Sequence, residues 1–385
     1  TSIVGTLIDL DSGEQLAAVG DVNPQAVYGG DLMSRLAYAQ FDLAALRKLR
    51  ARAVQAINSH IKEACEKADI SPDHIYKLVV VGNTAMHHIF LGIDPTYLGL
   101  APYSPTVRSA IEMPARELML KAVPNAVVCL LPIVAGFVGA DAVGAVLATR
   151  IFESKDVRIM VDIGTNGEVI MGHKGKLMAC SAPAGPALEG AQIKHGMRGA
   201  IGAIEKVRWE KEIVCETIGN APPTGICGSG LVDAAASLLK AGVLLPSGRL
   251  LAKDDPGLTP ALADRLSGSG AQYEFALVQA KDTGINEDIT LTQEDIRQLQ
   301  LAKGAIYSGI LMLQQVMNVA DDDVDQLQLA GGFGNYINIE SAVAINLLPA
   351  LALKKISYVG NAALMGAGMA LISETERKRA DSLAK

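Results

Sequence analysis

The sequence predicts an α/β chain of two halves built to one plan, and three observations predict it. In the middle, the apolar run Ile159-Met-Val161 leads into Asp162-Ile-Gly164-Thr165-Asn166-Gly167-Glu168, a buried strand leaving the core into a glycine turn. At the start, Thr1-Ser2-Ile-Val-Gly5-Thr-Leu-Ile-Asp9-Leu-Asp11-Ser-Gly13 can be laid on Thr165-Asn166-Gly167-Glu168-Val-Ile-Met-Gly172-His-Lys-Gly175. Both show a small polar pair, an apolar strand and a polar turn with glycine. Third, the strand at Val127 to Leu131 and the small-residue run Gly136-Phe-Val-Gly139-Ala-Asp141-Ala-Val-Gly144 are repeated in kind at Ile356 to Gly360 and Asn361 to Ala367. Each half reads hairpin, helix, strand with glycine turn, strand with small helix. That duplication outweighs any single motif.

Composition agrees. Half of the 385 residues are hydrophobic and only 4% aromatic, which suits helices packed on sheets more than an all-β sandwich. The length allows two or more compact units. A net charge of −7 and a pI near 5.5, without a basic stripe, exclude a nucleic-acid footprint. The most apolar window, 126–148, holds Pro132, several glycines and Asp141, so it reads as strand plus helix and not as a membrane span. No secretory leader pattern opens the sequence. Cys65, Cys129, Cys180, Cys215 and Cys227 are scattered without a C-x-x-C pair, offering neither a disulfide framework nor a zinc or iron–sulfur site. Reduced thiols in a cytoplasmic protein are expected.

After the opening hairpin, the turn formers from Gly20 to Gly30 lead to Asp31, a helix cap. A long helix is predicted from about Asp42 to Ala68, with Leu43, Leu46, Leu49, Val54, Ile57 and Ile61 on its apolar side. The run from Lys77 to Val81 is a buried strand whose Gly82-Asn83-Thr84 turn opens a helix carrying His87 and His88. Adjacent helical residues point apart, so these histidines do not share a metal. Residues 91–123 read as an irregular excursion. Asp141 then starts the small-residue helix, either facing a ligand or capping the helix.

In the second half, the turn after Asp162 admits two readings. Its glycines and hydroxyls suit a phosphate, and the carboxylate suits magnesium or an attacking water. A structural hairpin is the other reading. The loop Cys180 to Gly190 turns at Gly185-Pro186, with Glu189 a candidate to orient water or metal. Residues 191–290 read as an inserted subdomain. Within it, Gly225-Ile-Cys227-Gly228-Ser-Gly230 is either an anion site at a helix start or a packing turn. Thr292-Gln-Glu-Asp295 is a variant capping box for a core helix carrying Ile296, Leu299, Ile306, Ile310, Leu313 and Met317. A strand then ends in Gly331-Gly332-Phe333-Gly334-Asn335, a turn for packing or for a ligand lying on bare backbone.

Two such hairpins facing each other across a nucleotide are the signature of the actin, hexokinase and acetate kinase superfamily, which this sequence resembles. The resemblance implies ribonuclease H-like halves at 1–150 and 151–385, a nucleotide cleft, and the insertion at 191–290. It makes Gly331, Gly332, Gly334 and Asn335 the adenosine motif and Asp141 an acid facing the nucleotide. Taken together, Asn23-Pro24-Gln25, Val81-Gly-Asn-Thr-Ala-Met86, Asp162 to Glu168, Pro183 to Gly190, Ile226 to Gly230 and Ala330 to Gly334 resemble the ATP-dependent reductive activators of corrinoid proteins. That family implies ATP and Mg²⁺, a corrinoid protein as partner, and electrons from a [2Fe–2S] domain that drive Co(II) to Co(I). No four-cysteine motif is present here, and the first hairpin starts after its acidic strand, so an N-terminally trimmed module is expected. The resemblance implies that Thr165, Asn166, Gly164 and Gly167, with Thr1, Ser2 and Gly185, hold phosphate. Asp162 binds magnesium or water, with Asp141, Glu168 and Glu189 as auxiliaries. A homodimer is carried as the oligomeric expectation, with no membrane or nucleic-acid partner. A small-molecule kinase and a nucleotide sensor without turnover are the rival readings.

Overall fold

The computed structural model describes residues 2–334 and 336–385, which divide into two compact units, Thr1–Glu153 with Asn361–Lys385, and Ser154–Gly360.

The first unit opens with the hairpin β1 (Ser2–Ile8) and β2 (Gln15–Val22). Helix α1 (Leu32–Ala39) is capped by Asp31, whose carboxylate accepts from the Ser34 amide at 2.9 Å. Helix α2 (Leu43–Ala68) starts at Asp42, which takes the Ala44 and Ala45 amides, and stops at Asp69 in the left-handed region. Strand β3 (Lys77–Val80) leads to α3 (Thr84–Leu91), capped by Asn83. Beyond the sequence expectation of an irregular excursion, residues 91–123 contain the strand β4 (Ile111–Pro114). It pairs antiparallel with β5 (Val127–Leu130), which runs parallel to β3. Its Ile111-Glu112-Met113 alternation is too short to announce a strand alone, and the pairing with β5 specifies it. Helix α4 (Ala140–Thr149) follows.

The second unit is organised on a five-stranded sheet. Strands β6 (Val157–Ile163), β7 (Gly167–His173) and β8 (Lys176–Ala182) form an antiparallel meander. Between β8 and the next large helix lie two small sheets and two helices. One sheet holds β9 (Ala203–Trp209), β10 (Ile213–Thr217) and β11 (Gly225–Ile226), followed by α5 (Gly228–Lys240). After the one-turn α6 (Pro260–Ala263), the other sheet holds β12 (Leu266–Ser267), β13 (Glu274–Val278) and β14 (Ile289–Thr292). Helix α7 (Gln293–Met317) begins with the predicted box: Thr292 accepts the Asp295 amide at 3.0 Å and Asp295 accepts the Thr292 amide at 2.8 Å. Strand β15 (Val324–Ala330), the single turn α8 (Gly331–Gly334), α9 (Ile339–Ala344) and β16 (Ile356–Gly360) complete the unit. The sheet order is β16-β15-β6-β7-β8, with β15 parallel to both β6 and β16. One continuous core runs from Val157 through Leu238 and Phe275 to Ile306, Leu327 and Ile356. Strand β6 is buried on both faces, which is why it reads as an unbroken apolar run.

The chain then returns to the first unit with α10 (Ala362–Ile372) and α11 (Glu374–Leu383). This return differs from a division at residue 150, and the reason is steric. A Cβ on Gly366 would overlap the Gly144 carbonyl, and one on Gly144 would press on Ala363, so α4 and α10 touch backbone to backbone. Beyond them, Arg150 holds Glu376 through two bonds of 3.0 and 2.9 Å and so ties α11 to the end of α4. Among the described residues, no helix is long and apolar enough to cross a membrane.

Candidate functional site

The predicted residues of the second unit gather at the carboxyl ends of β6 and β15, where open α/β sheets bind ligands. Asp162 stands on β6 opposite Glu168 of β7 and beside Ala330 of β15. Two carboxylates facing each other across antiparallel strands repel unless donors or a cation offset them. Ser181 on β8, opposite Glu168, supplies one donor: its hydroxyl bonds Glu168 Oε1 at 3.1 Å. Between the strands, the Gly164 amide donates to the Asn166 carbonyl at 3.0 Å and closes the turn. The Thr165 hydroxyl donates to the carboxylate of Glu189, at the end of the turn Pro186–Glu189. Gly185 and Gly190, both at positive φ (75° and 80°), flank that turn.

Gly331 follows Ala330 with φ 87°, and a Cβ there would overlap Oδ1 of Asp162. The glycine turn and the carboxylate are therefore in direct contact. Beside them the backbone is bare: a Cβ on Gly185 or on Gly332 would meet no atom within 4 Å. Glycines with that freedom leave room for a ligand to approach the main chain. Gly167 differs. It is buried, and a Cβ would press into Ile306 of α7, so its missing side chain serves helix packing and only its backbone remains for a ligand. Gly334 is also buried, with ordinary spacing to Leu329. Asn335 and Thr1 lie outside the described residues.

No group of three or more His, Cys, Asp or Glu side chains able to hold a metal assembles among the described residues. Magnesium does not require one, since it is commonly held by one or two carboxylates together with phosphate and water. Asp162 and its cross-strand neighbour Glu168 are such a set. These residues fit a magnesium–nucleotide complex.

Asp141 and Ser2 belong to the first unit, where both border one cavity. Asp141 lies in the first turn of α4, after the Gly139 cap, and its carboxylate accepts the Ala142 amide at 2.9 Å. Burial pushes that carboxyl up to about 6. Gly139 itself is forced: a Cβ would collide with the backbone of Gly82 and Asn83. Of the other motifs, Asn23-Pro24-Gln25 is structural, with Gln25 fully buried and its amide bonded to the Leu49 carbonyl at 2.8 Å. The cluster at Gly225 to Gly230 is a packing turn, since side chains on Gly225 and Gly230 would strike the carbonyls of His195 and Ile204. His88 bonds the Thr84 carbonyl at 2.8 Å and takes the Thr106 amide at 3.0 Å, which uses both ring nitrogens of one neutral tautomer.

Sequence reasoning missed Ser181 and the Asp162–Gly331 contact. A signal for Ser181 existed. Lys174 and Gly175, both at positive φ, form a two-residue turn that sets the β7–β8 register and places Ser181 opposite Glu168. The Gly331 contact joins residues far apart in the chain, and no local pattern carries it.

Known proteins match this chain along its length. Residues 1–154 match the family described as the RACo middle region, and residues 156–385 match the C-terminal domain of RACo, the ASKHA domain. The corrinoid activation enzyme RamQ of Eubacterium limosum is 37% identical over 377 residues, covering 98% of this chain and 63% of its own. The Co(II) methylated amine-specific corrinoid protein reductase of Methanosarcina barkeri is 25% identical over 395 residues, covering 93% and 66%. A solved structure of a reductive activator for corrinoid, iron–sulfur protein superimposes with a TM-score of 0.87 at 38% identity, over all of this chain and 60% of that one. The chain thus spans 60 to 66% of the length of these relatives.

Proposed function

Given that the chain belongs to the RACo family of corrinoid activators, with its middle region and its ASKHA domain, we propose that it is the ATP-binding and ATP-hydrolysing module of such an activator. In this reading, ATP use is coupled to reduction of a partner corrinoid protein from Co(II) to Co(I). The electrons come from a [2Fe–2S] domain lying outside these 385 residues. The two halves, divided near residue 150 and with an insertion at 191–290 in the second, are actin-like, with residues 361–385 returning to the first.

The contact between Gly331 and Asp162 carries the proposal, because it joins the bare-backbone turn suited to adenosine to the carboxylate suited to phosphate chemistry. Gly331, Gly332 and Gly334 lie along the adenosine. Gly164, Thr165, Asn166 and the Gly167 backbone, with Gly185, take the phosphates. Glu189 orients the Thr165 hydroxyl. Asp162 holds the hydrated cation or aligns the attacking water, assisted by Glu168. Magnesium, when bound, neutralises charge on the phosphates.

The test is ATP hydrolysis by the full-length protein with and without a Co(II) corrinoid protein, following Co(I) by absorbance. Hydrolysis stimulated by that partner, with Co(I) formed only when an electron donor is present, supports the proposal. Hydrolysis indifferent to the corrinoid protein, or phosphate found on a metabolite, replaces it with a kinase. Nucleotide binding without turnover replaces it with a sensor.

A further inference from the structure

Just past the glycine turn α8, the second unit holds a cavity of about 510 Å³ bordered by α5, β9, β16 and the chain from Tyr336 to Glu340. That volume lies within the range of small-molecule pockets. Asp233 of α5 borders it and is only 3% exposed. Its Oδ2 accepts the Val207 amide of β9 at 3.3 Å, and the Ser341 hydroxyl favours its charged form. Its Oδ1 is buried and meets no hydrogen-bond partner among the described residues. An acceptor buried without a donor is costly, and one that borders a cavity marks a place for a donor arriving from outside. The nearby cations do not supply that donor, since Lys206 and Arg208 are both drawn to Glu216.

The other walls are aromatic and apolar. Tyr336 follows Gly334 by two residues and is 72% exposed beside the cavity, a cost that an incoming ring would remove. Tyr358 of β16 is fixed as a wall by its hydroxyl, which donates to the Ile337 carbonyl at 2.5 Å. Ile339 and Leu353 add apolar surface. Tyrosines stack on the faces of heterocycles, and the buried oxygen needs an N–H at the rim of the stacked ring. We infer that this cavity seats the adenine ring of the nucleotide, with Asp233 Oδ1 accepting from its exocyclic amine, so that Asp233 sets the preference for ATP over GTP. The inference rests on the ATPase reading, and it follows the chain from the glycine turn given to the adenosine.

The discrimination is a matter of donor and acceptor. Adenine carries an amine where guanine carries a carbonyl oxygen. Guanine seated in the same way would set that oxygen against the Asp233 carboxylate, two acceptors without a proton between them. Guanine has N–H donors on another edge, but they pair best with two free carboxylate oxygens, and here the Val207 amide already occupies Oδ2.

Titration calorimetry of the full-length protein with the magnesium complexes of ATP and GTP tests this. The wild-type protein is expected to bind ATP at least about tenfold more tightly than GTP. In Asp233→Asn, the Val207 amide holds the carbonyl oxygen of the new side chain, which leaves its NH₂ in place of Oδ1. An acceptor becomes a donor, and the ratio of ATP to GTP affinity should fall by about tenfold or more. Tyr336→Ala removes an exposed ring that the fold does not need, and both nucleotides should bind about tenfold more weakly with their ratio kept. A wild-type protein that binds both equally or favours GTP overturns the inference. So does an unchanged ratio in Asp233→Asn, or unchanged affinities in Tyr336→Ala. ATP bound without this base preference leaves the ATPase reading standing. Hydrolysis indifferent to a corrinoid protein removes the activator reading and leaves the base recognition intact.

Discussion

Gly331 and Asp141 are the two residues whose chemistry is most constrained by position. Gly331→Ala places a methyl group on Oδ1 of Asp162 at a φ of 87°, which only glycine adopts freely. The expected result is a loss of about 1–3 kcal/mol in stability and a fall in ATP turnover of about a hundredfold, read from Tm and from steady-state hydrolysis. Turnover unchanged from wild type would separate Gly331 from the site. Asp141 carries a pH signature. Its carboxyl is raised from the ordinary 3.8 to about 6 by burial. Below 3.8 both states are protonated and nothing is contributed. Between 3.8 and about 6 the folded chain keeps a proton that the unfolded chain releases, so stability falls as pH rises. Asp141→Asn removes this dependence. Its stability advantage over wild type, read from urea unfolding, should be small at pH 4 and grow to about 1–2 kcal/mol by pH 7. An advantage that does not change between these pH values would contradict the assignment.

Elements here are positioned by close backbone approach more than by bulky interdigitation. The crossing of α4 and α10 depends on Gly144 and Gly366, and Gly366→Ala forces the helices apart. We expect a loss of about 2–4 kcal/mol, at the upper end for overpacking, seen as a lower midpoint in urea unfolding. A variant of wild-type stability would mean that the helices separate without cost. Helix α7 depends instead on its cap and apolar stripe, both legible locally. Thr292-Gln-Glu-Asp295 forms the reciprocal box that its spacing predicts, and Ile296, Leu299, Ile306, Ile310 and Leu313 are buried as a periodicity near 3.6 requires. Strand β4 is the contrast. Ile111-Glu-Met-Pro114 has no strong pattern and becomes a strand because β5 offers it an edge.

At the scale of the molecule, nucleotide binding should report on folding. If the magnesium–nucleotide complex binds only the native protein, it adds about 2.7 kcal/mol at a hundredfold excess over Kd. Thermal unfolding of the full-length protein with ATP and magnesium should show this gain, and chelation of the metal or Asp162→Asn should remove most of it. An equal gain in the variant would take Asp162 out of the site.

What the sequence by itself determined is everything carried by local chemistry and period. The apolar strand before Asp162, the hairpins, the capped helices and the family motifs from Asn23 to Gly334 all announce themselves within a few residues, because turns, caps and amphipathic faces are short-range physics. The tertiary structure decided what depends on residues far apart in the chain. It set Gly331 against Asp162, gave Thr165 to Glu189, made Gly167 a packing glycine under Ile306, and returned residues 361–385 to the first unit. A missing side chain has the same letter whether it admits a ligand or a helix, and only the atoms that approach it from elsewhere in the fold distinguish the two.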